Sequence, residues 1–179
     1  MMTEDDPGLQ VHLERYRFAY GTVDWGHRVL DVACGCGYGS AILVGRADLV
    51  LGFDNNLDAI LGAERHYRHH RAVFLRVDLD TLELPPCDVA VSLETVEHLR
   101  DPERFIEQMK ESARRSIVLS TPIIPTVHMN PYHLHDFTVD QVRGWFTDER
   151  WKIVQEWTQA DPAIGPDPCY LVLEARRCG

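Results

Sequence analysis

Short apolar segments alternate with segments of helical spacing along the chain, and this alternation constrains the fold more than any other feature. The first four apolar segments are residues 28–33, 49–53, 72–77 and 88–93, and helical spacing follows the first, second and fourth of them. Strands that alternate with helices form a parallel sheet with right-handed crossovers. The pattern therefore predicts a doubly wound, mostly parallel α/β fold.

The end of the chain departs from this alternation. A fifth strand is predicted over residues 116–120, and two more over residues 151–157 and 170–175. The last two are joined by a loop with proline and glycine, residues 161–168, and no helix separates them. They are expected to pair as a hairpin, which makes one of the seven strands antiparallel.

Local capping signals predict where individual helices begin. Asp101 followed by Pro102 is typical of a helix start, and Thr138 with Gln141 has the spacing of a capping box. A further helix is predicted over residues 10–20, before the first strand.

Composition narrows the class of protein. The chain has 179 residues, of which 45% are hydrophobic, and this predicts a single domain over residues 1–179. It contains no run of about 18 apolar residues that would span a membrane. Its acidic N-terminus is unlike a secretory signal, and its five cysteines lack the C-x-x-C spacing of a zinc site. A reduced, cytoplasmic protein without membrane contact is predicted.

The net charge of −10 argues against nucleic acid as a partner, because proteins that bind a phosphate backbone usually present a basic surface. The most basic stretch, residues 65–71, follows a helical segment. Cationic side chains are favoured at helix C-termini, so this stretch is interpreted as a solvated helix end.

A glycine-rich loop follows the first predicted strand and leads into a helix. It carries glycines at positions 35, 37 and 39, and Asp31 stands at its start. Glycines allow the backbone to turn sharply and to approach a ligand closely. Dinucleotide-binding proteins use a similar loop, so the loop alone leaves the ligand open.

Acidic residues at successive strand ends narrow the prediction of where a ligand binds. Asp54 ends the second strand, where a carboxylate can accept hydrogen bonds from ribose hydroxyls, and Asp78 ends the third. With Asp31, these residues are expected to line one crevice at the carboxyl edge of the sheet, where open α/β sheets bind ligands.

Residues 29–40 resemble the first motif of the class I S-adenosylmethionine-dependent methyltransferases. Residues 93–102 resemble the segment after the fourth strand in the branch that O-methylates small molecules and quinones. The resemblance implies a Rossmann-like fold with a seven-stranded sheet and one antiparallel strand. Two departures are mild: Ala33 stands where glycine is common, and Cys36 where threonine is common.

The resemblance implies that S-adenosylmethionine is the cofactor. Its methionine part would be held by the glycine loop, its ribose by Asp54 and its adenine by Asp78 with Leu79. The segment 1–28 would be a helical lid over a cofactor-binding core, residues 29–179. The implied cofactor-binding residues are Tyr16, Asp31, Gly35, Gly37, Asp54, Asn55, Asp78, Leu79 and Leu93.

A divalent metal is also a candidate cofactor. Glu94, Glu97, His98 and His133 offer the mixed oxygen and nitrogen ligands that suit magnesium, manganese or zinc. The spacing resembles metal-dependent methyltransferases of the ubiquinone pathway and those that modify small-RNA 3′ ends. Without a metal, His98 or His133 is the candidate catalytic base.

The predicted function is O-methylation of a small hydroxylated metabolite or sugar, with metal-assisted 2′-O-methylation of an RNA end as the second choice. Two other hypotheses stay open: a nicotinamide-dependent oxidoreductase, and a non-catalytic subunit that binds S-adenosylmethionine. A homodimer and a partner subunit are both compatible with the sequence.

Overall fold

The computed structural model describes residues 7–179, and within them seven strands form one sheet in the order β3-β2-β1-β4-β5-β7-β6. The strands are β1 (Arg28–Val32), β2 (Leu49–Asp54), β3 (Ala72–Arg76), β4 (Cys87–Leu93), β5 (Ala113–Pro122), β6 (Trp151–Ala160) and β7 (Pro168–Arg177). The helices are α1 (Pro7–Thr22), α2 (Tyr38–Leu43), α3 (Leu57–His66), α4 (Pro102–Ser112) and α5 (Val139–Gly144), with a short 3₁₀ helix, Val96–His98.

The sheet has the predicted topology. Strands β1 to β5 pair in parallel, and β7 runs antiparallel to both of its neighbours, β5 and β6. Strand order reverses between β1 and β4, which makes a crevice outside their carboxyl ends. The predicted fold class, including the one antiparallel strand, is confirmed.

Capping residues set the helix starts. The side chain of Asp101 accepts a hydrogen bond from the Arg104 amide, and Pro102 occupies the first turn of α4. Thr138 and Gln141 form a reciprocal capping box at α5. Both predicted helix starts are confirmed.

Helices cover both faces of the sheet, and alternate side chains of each strand point to opposite faces. On one face, α1 and α2 pack on Val29, Val50 and Val118. On the other, α4 and α5 pack on a larger cluster that includes Leu30 and Ile117. The central strands are therefore buried on both sides, as their continuous apolar sequences require.

The connection between β3 and β4 differs from the others. Residues 77–86 cross the α4 face of the sheet without forming a helix. The side chains of Val73 and Leu75 in β3 remain 40% and 44% exposed. On this face, the β3 end of the sheet is thus only partly covered.

The predicted N-terminal helix is present as α1, and the acidic residues 1–6 of the predicted lid segment lie outside the described residues. Among residues 7–179, no helix combines the length and apolar character needed to cross a bilayer.

Candidate active site

The glycine loop joins β1 to α2 through backbone conformations that favour glycine. Gly35 and Gly37 have φ angles of +54° and +86°, and Ala33 has +63°. The left-handed region costs a residue with a Cβ roughly 1–2 kcal/mol. A Cβ on Gly37 would also lie 2.6 Å from the Cβ of Ala63 in α3. The loop therefore needs glycine at 37 for space and conformation, while Ala33 occupies a strained position.

Helix α1 lies against this loop through one aromatic side chain. The ring of Tyr16 packs so closely on Gly39 that a Cβ there would be 1.9 Å from a ring carbon. The Tyr16 hydroxyl donates to Asp31 Oδ1 at 3.1 Å, and Ser40 Oγ donates to Asp31 Oδ2 at 2.5 Å. The segment predicted as a lid is thereby tied to the first acidic residue of the crevice.

Asp31 is buried beneath the loop. Burial raises the pKa of its carboxyl to about 6, although the hydrogen bonds from Ser40 and Tyr16 favour the ionised form. Within residues 7–179 this buried carboxylate has two donors and no cation beside it, which suits a ligand that brings a positive charge.

Asp54 is held by two backbone amides. Its carboxylate accepts from Gly35 N at 2.9 Å and from Asn56 N at 2.8 Å. Each carboxylate oxygen has a second lone pair, so the group can still accept from two ligand hydroxyls. Asp78 is exposed and lies two residues beyond the end of β3, and its Oδ1 accepts from Asp80 N at 3.0 Å.

A cavity of about 650 Å³ extends from these acidic residues to the far side of β4. Its walls include four of the predicted cofactor residues, Asp54, Asn55, Asp78 and Leu79. The glycine loop beside the cavity contains Gly35 and Gly37, and Asp31 and Tyr16 lie next to this loop. Leu93 is buried at the end of β4. The remaining lining residues are Ala33, Asn56, Asp80, Glu94, Thr95, His98, Leu99 and Tyr132.

Glu94 follows β4 in a left-handed conformation, with φ +54°, and pairs with a buried arginine from α1. Arg15 Nη1 lies 3.2 Å from Glu94 Oε1, and Arg15 Nε donates to Gln159 Oε1 at 2.6 Å. The guanidinium also lies 4.0 Å from the centre of the Tyr170 ring. Sequence reasoning missed this role of Arg15, because Gln159 is 144 residues away and no local pattern joins them.

Burial raises the pKa of Glu94 to about 7, with Arg15 and a hydrogen bond from Ser120 acting in the opposite direction. A rare left-handed residue at a strand end is a common feature of functional sites. Glu94 is therefore a strained, charge-paired carboxyl on the cavity wall.

Three of the four predicted metal ligands come together. Glu97, His98 and His133 can each supply one ligand atom within 4.8 Å of the others, whereas Glu94 is not in this group and pairs with Arg15 and Ser120. The buried carboxylate of Glu97 accepts from Thr121 Oγ1 at 3.2 Å through Oε2, but its Oε1 has no hydrogen-bond partner among the described residues. An unpaired, buried carboxylate oxygen beside two imidazoles fits a cation.

Hydrogen bonds fix the two imidazoles of this group. His98 Nδ1 donates to the Tyr132 carbonyl at 3.0 Å, which leaves Nε2 with its lone pair. His133 Nδ1 lies 2.6 Å from the Thr126 hydroxyl, which itself donates to Asp136. Burial and the neighbouring His98 lower the pKa of His133, so its ring is neutral near pH 7. Two imidazoles that are each oriented through Nδ1 can serve as metal ligands or as a base.

Comparison with known proteins agrees with the fold and the glycine loop. Residues 29–116 match the family model of a methyltransferase domain. A Mycobacterium tuberculosis protein named "Probable S-adenosylmethionine-dependent methyltransferase" is 29% identical over 130 residues, which cover 67% of this chain and 47% of that protein. The matches support a class I S-adenosylmethionine-dependent methyltransferase, with residues 29–116 as its family domain.

Solved structures of methyltransferases are similar in fold over nearly the whole chain. A Mesorhizobium loti S-adenosylmethionine-dependent methyltransferase has a TM-score of 0.80 at 19% identity, covering 93% of this chain and 98% of its own. A methyltransferase of Haloferax volcanii, solved with the Trm112 methyltransferase activator, also has a TM-score of 0.80, at 16% identity, covering 96% and 91%. These likenesses show the Rossmann-like fold. The chain spans about half the length of the curated relatives it matches.

The contact between Gly39 and Tyr16 gives a prediction for this class I methyltransferase. Gly39→Ala should displace the Tyr16 ring and destabilise the protein by about 1–3 kcal/mol, as overpacking of a filled core does. Gly21→Ala is the matched control, because a Cβ at this helical position meets nothing within 4 Å and should stabilise α1 by about 0.5–1 kcal/mol. Urea denaturation of both variants measures the difference. Equal stability of the two would contradict the packing of α1 on the loop.

Proposed function

We propose that this class I methyltransferase transfers the methyl group of S-adenosylmethionine to a hydroxyl oxygen of a small metabolite or sugar. The observation that supports this most is the single cavity that joins two of the strand-end acidic residues, Asp54 and Asp78, to His98 beyond β4. A cofactor seated on the acidic residues would present its methyl group toward the imidazole side.

The cofactor would be held along its whole length by residues already fixed in place. Asp31 would receive the ammonium group of the methionine part, since no cation of the described part of the chain lies beside its buried carboxylate. Asp54 would accept from the ribose hydroxyls. Asp78 would accept from the adenine amino group, and the buried Leu79 would pack on the ring. Tyr16 and α1 would cover the methionine end.

Methyl transfer is an in-line displacement at carbon, and the protein mainly aligns the two reactants. The bond from carbon to the sulfonium sulfur breaks as the bond to the acceptor oxygen forms. The products are S-adenosylhomocysteine and a methyl ether, and the hydroxyl proton passes to a base. His98 or His133 would take this proton at Nε2, because each ring is oriented through Nδ1.

Glu97, His98 and His133 would hold a divalent ion if one is used, and the unpaired Glu97 Oε1 supports this assignment. A bound ion would orient acceptor oxygens and lower the pKa of the attacking hydroxyl. Glu94 would join as a ligand only after leaving Arg15. The same arrangement supports the second candidate substrate, an RNA end with two vicinal hydroxyls.

The metal assignment predicts a measurable binding site. Calorimetric titration with Mn²⁺ should detect one site in the native protein and none in Glu97→Ala or His133→Ala. His135→Ala is the matched control, because His135 bonds to the Leu99 carbonyl and lies outside the group. A chelator should abolish methyl transfer and spare the binding of S-adenosylhomocysteine. Full activity in excess chelator would exclude the metal and leave the histidines as bases.

The acceptor can be identified by screening hydroxylated metabolites, sugars and short RNAs for conversion of S-adenosylmethionine to S-adenosylhomocysteine. Turnover with a small hydroxylated molecule supports the proposal, and turnover only with RNA ends would replace it by the second candidate. No turnover with any acceptor despite cofactor binding would favour a non-catalytic subunit. The Haloferax volcanii neighbour was solved with an activator, and we extend the expectation of a partner protein to this chain.

A further inference from the structure

The two edges of the sheet are built differently. The edge strand β6 contains Lys152 and has two register irregularities against β7, which are features that discourage pairing with another chain. The opposite edge strand, β3, contains neither lysine nor proline, and its register with β2 runs without interruption from Ala72 to Arg76. Because β3 is the terminal strand of the sheet, no strand within residues 7–179 pairs with its outer edge.

Two apolar side chains of this edge strand are exposed. Val73 and Leu75 point to the face where residues 77–86 form no helix, and they are 40% and 44% exposed. Val73 stands opposite Leu51 in the register of β2 and β3, and Leu51 is only partly buried. Together they form an apolar strip at the end of the sheet. Exposed apolar strips of this kind indicate interaction sites.

The charge around β3 is opposite to that of the chain. Residues 65–77 contain four arginines, three histidines and no acidic residue, in a chain of net charge −10. The end of α3 accounts for Arg65 and His66, but the basic residues continue past the helix to Arg71 and beyond. Arg68 is exposed, whereas Arg71 donates to the Ala47 carbonyl. The β3 edge thus presents a local positive charge beside its apolar strip.

We propose that the β3 edge binds an acidic partner polypeptide, which adds a strand to the sheet. Main-chain hydrogen bonds to the open edge would supply affinity, and alternate apolar and acidic side chains would match Val73, Leu75 and the arginines. A second copy of this chain paired through β3 would bring two basic segments together, so charge disfavours that dimer. Nucleic acid would use the charge but not the open backbone edge or the aliphatic strip. This docking rests on the partner protein that the proposed function expects, but it does not depend on methyl transfer itself.

A designed probe tests the docking with the full chain. The probe is a ten-residue peptide that alternates glutamate with valine, and the control peptide has lysine in place of glutamate. The acidic peptide should bind and slow hydrogen exchange at the β3 amides that β2 leaves unpaired. Leu75→Lys and Arg68→Glu should each weaken binding by about tenfold, since one removes apolar contact and the other reverses a charge. Leu61→Lys, at a position that is 54% exposed on α3, is the matched control and should bind as the native protein does.

Several results would overturn the docking. They are equal binding of the lysine peptide, protection of amides away from β3, no binding of the acidic peptide, and binding of single-stranded RNA that competes with it. Arg68 is exposed, so Arg68→Glu is expected to fold even if Leu75→Lys does not. Its binding then decides the test. A thermal shift with S-adenosylhomocysteine, measured on every variant, separates loss of docking from loss of the cofactor site.

Discussion

Replacing Arg15 with methionine should destabilise the protein by about 3–5 kcal/mol near pH 8, which is the usual cost of leaving one partner of a buried ion pair alone. Arg15 is 1% exposed and joins α1 to Glu94, Gln159 and Tyr170. Without the guanidinium, the Glu94 carboxylate would remain buried beside Ser120 with no cation near it. The same change should loosen α1 and therefore weaken cofactor binding.

The cost should depend on pH in a defined direction. Because the pKa of Glu94 is raised to about 7, the folded state binds the proton more tightly than the unfolded state. Stability from this group is complete below the unfolded pKa of about 4.5 and is lost as the pH rises through about 7. Arg15 holds this pKa down, so Arg15→Met should raise it further and extend the loss above pH 7. The variant should thus lose less stability near pH 5 than near pH 8.

Two controls distinguish this ion pair from a general effect on α1. Arg17→Met removes an exposed cation from the same helix and should change stability by less than about 0.5 kcal/mol. The double variant Arg15→Met with Glu94→Gln removes both charges and should recover much of the lost stability. Urea denaturation at both pH values measures all four proteins. A loss in Arg15→Met no larger than in Arg17→Met would contradict the buried pair.

Replacing Asp54 with alanine should weaken S-adenosylhomocysteine binding by about 1.5–3 kcal/mol, or roughly 10- to 150-fold. The variant loses the acceptor for the ribose hydroxyls, and it also releases the Gly35 and Asn56 amides that shape the pocket. Asp58→Ala, an exposed acidic residue four positions later, is the matched control and should bind as the native protein does. Calorimetric titration of both variants gives the comparison. Unchanged affinity in Asp54→Ala would remove the ribose assignment.

Features that depend on neighbouring residues could be predicted from the sequence. The helix starts at Asp101 and Thr138 follow from local hydrogen bonding. The ends of β2 at Asp54 and of β3 at Arg76, two residues before Asp78, follow from apolar runs that stop near an acidic residue. Parallel strands place their carboxyl ends at one edge, so the meeting of the acidic residues was also predictable.

Features that depend on distant contacts could not be predicted. Arg15 stands beside Tyr16 in an ordinary helical segment, and only the folded chain shows that it reaches Gln159. Tertiary contacts also bring Glu97 and His98 next to His133, whereas Glu94 pairs with Arg15 and is outside this group. The position of β3 at the edge of the sheet is known only from the strand order. In the sequence alone, the basic residues before β3 are equally typical of a helix end.

The crevice beside the glycine loop is expected to bind S-adenosylmethionine rather than a dinucleotide. The most direct test is calorimetric titration of the full chain with S-adenosylmethionine, S-adenosylhomocysteine, NADH and NADPH under the same conditions. We expect one site for each of the first two compounds, with micromolar affinity, and no measurable heat from either nicotinamide cofactor. Tight binding of NADH or NADPH, or no binding of S-adenosylhomocysteine, would contradict it.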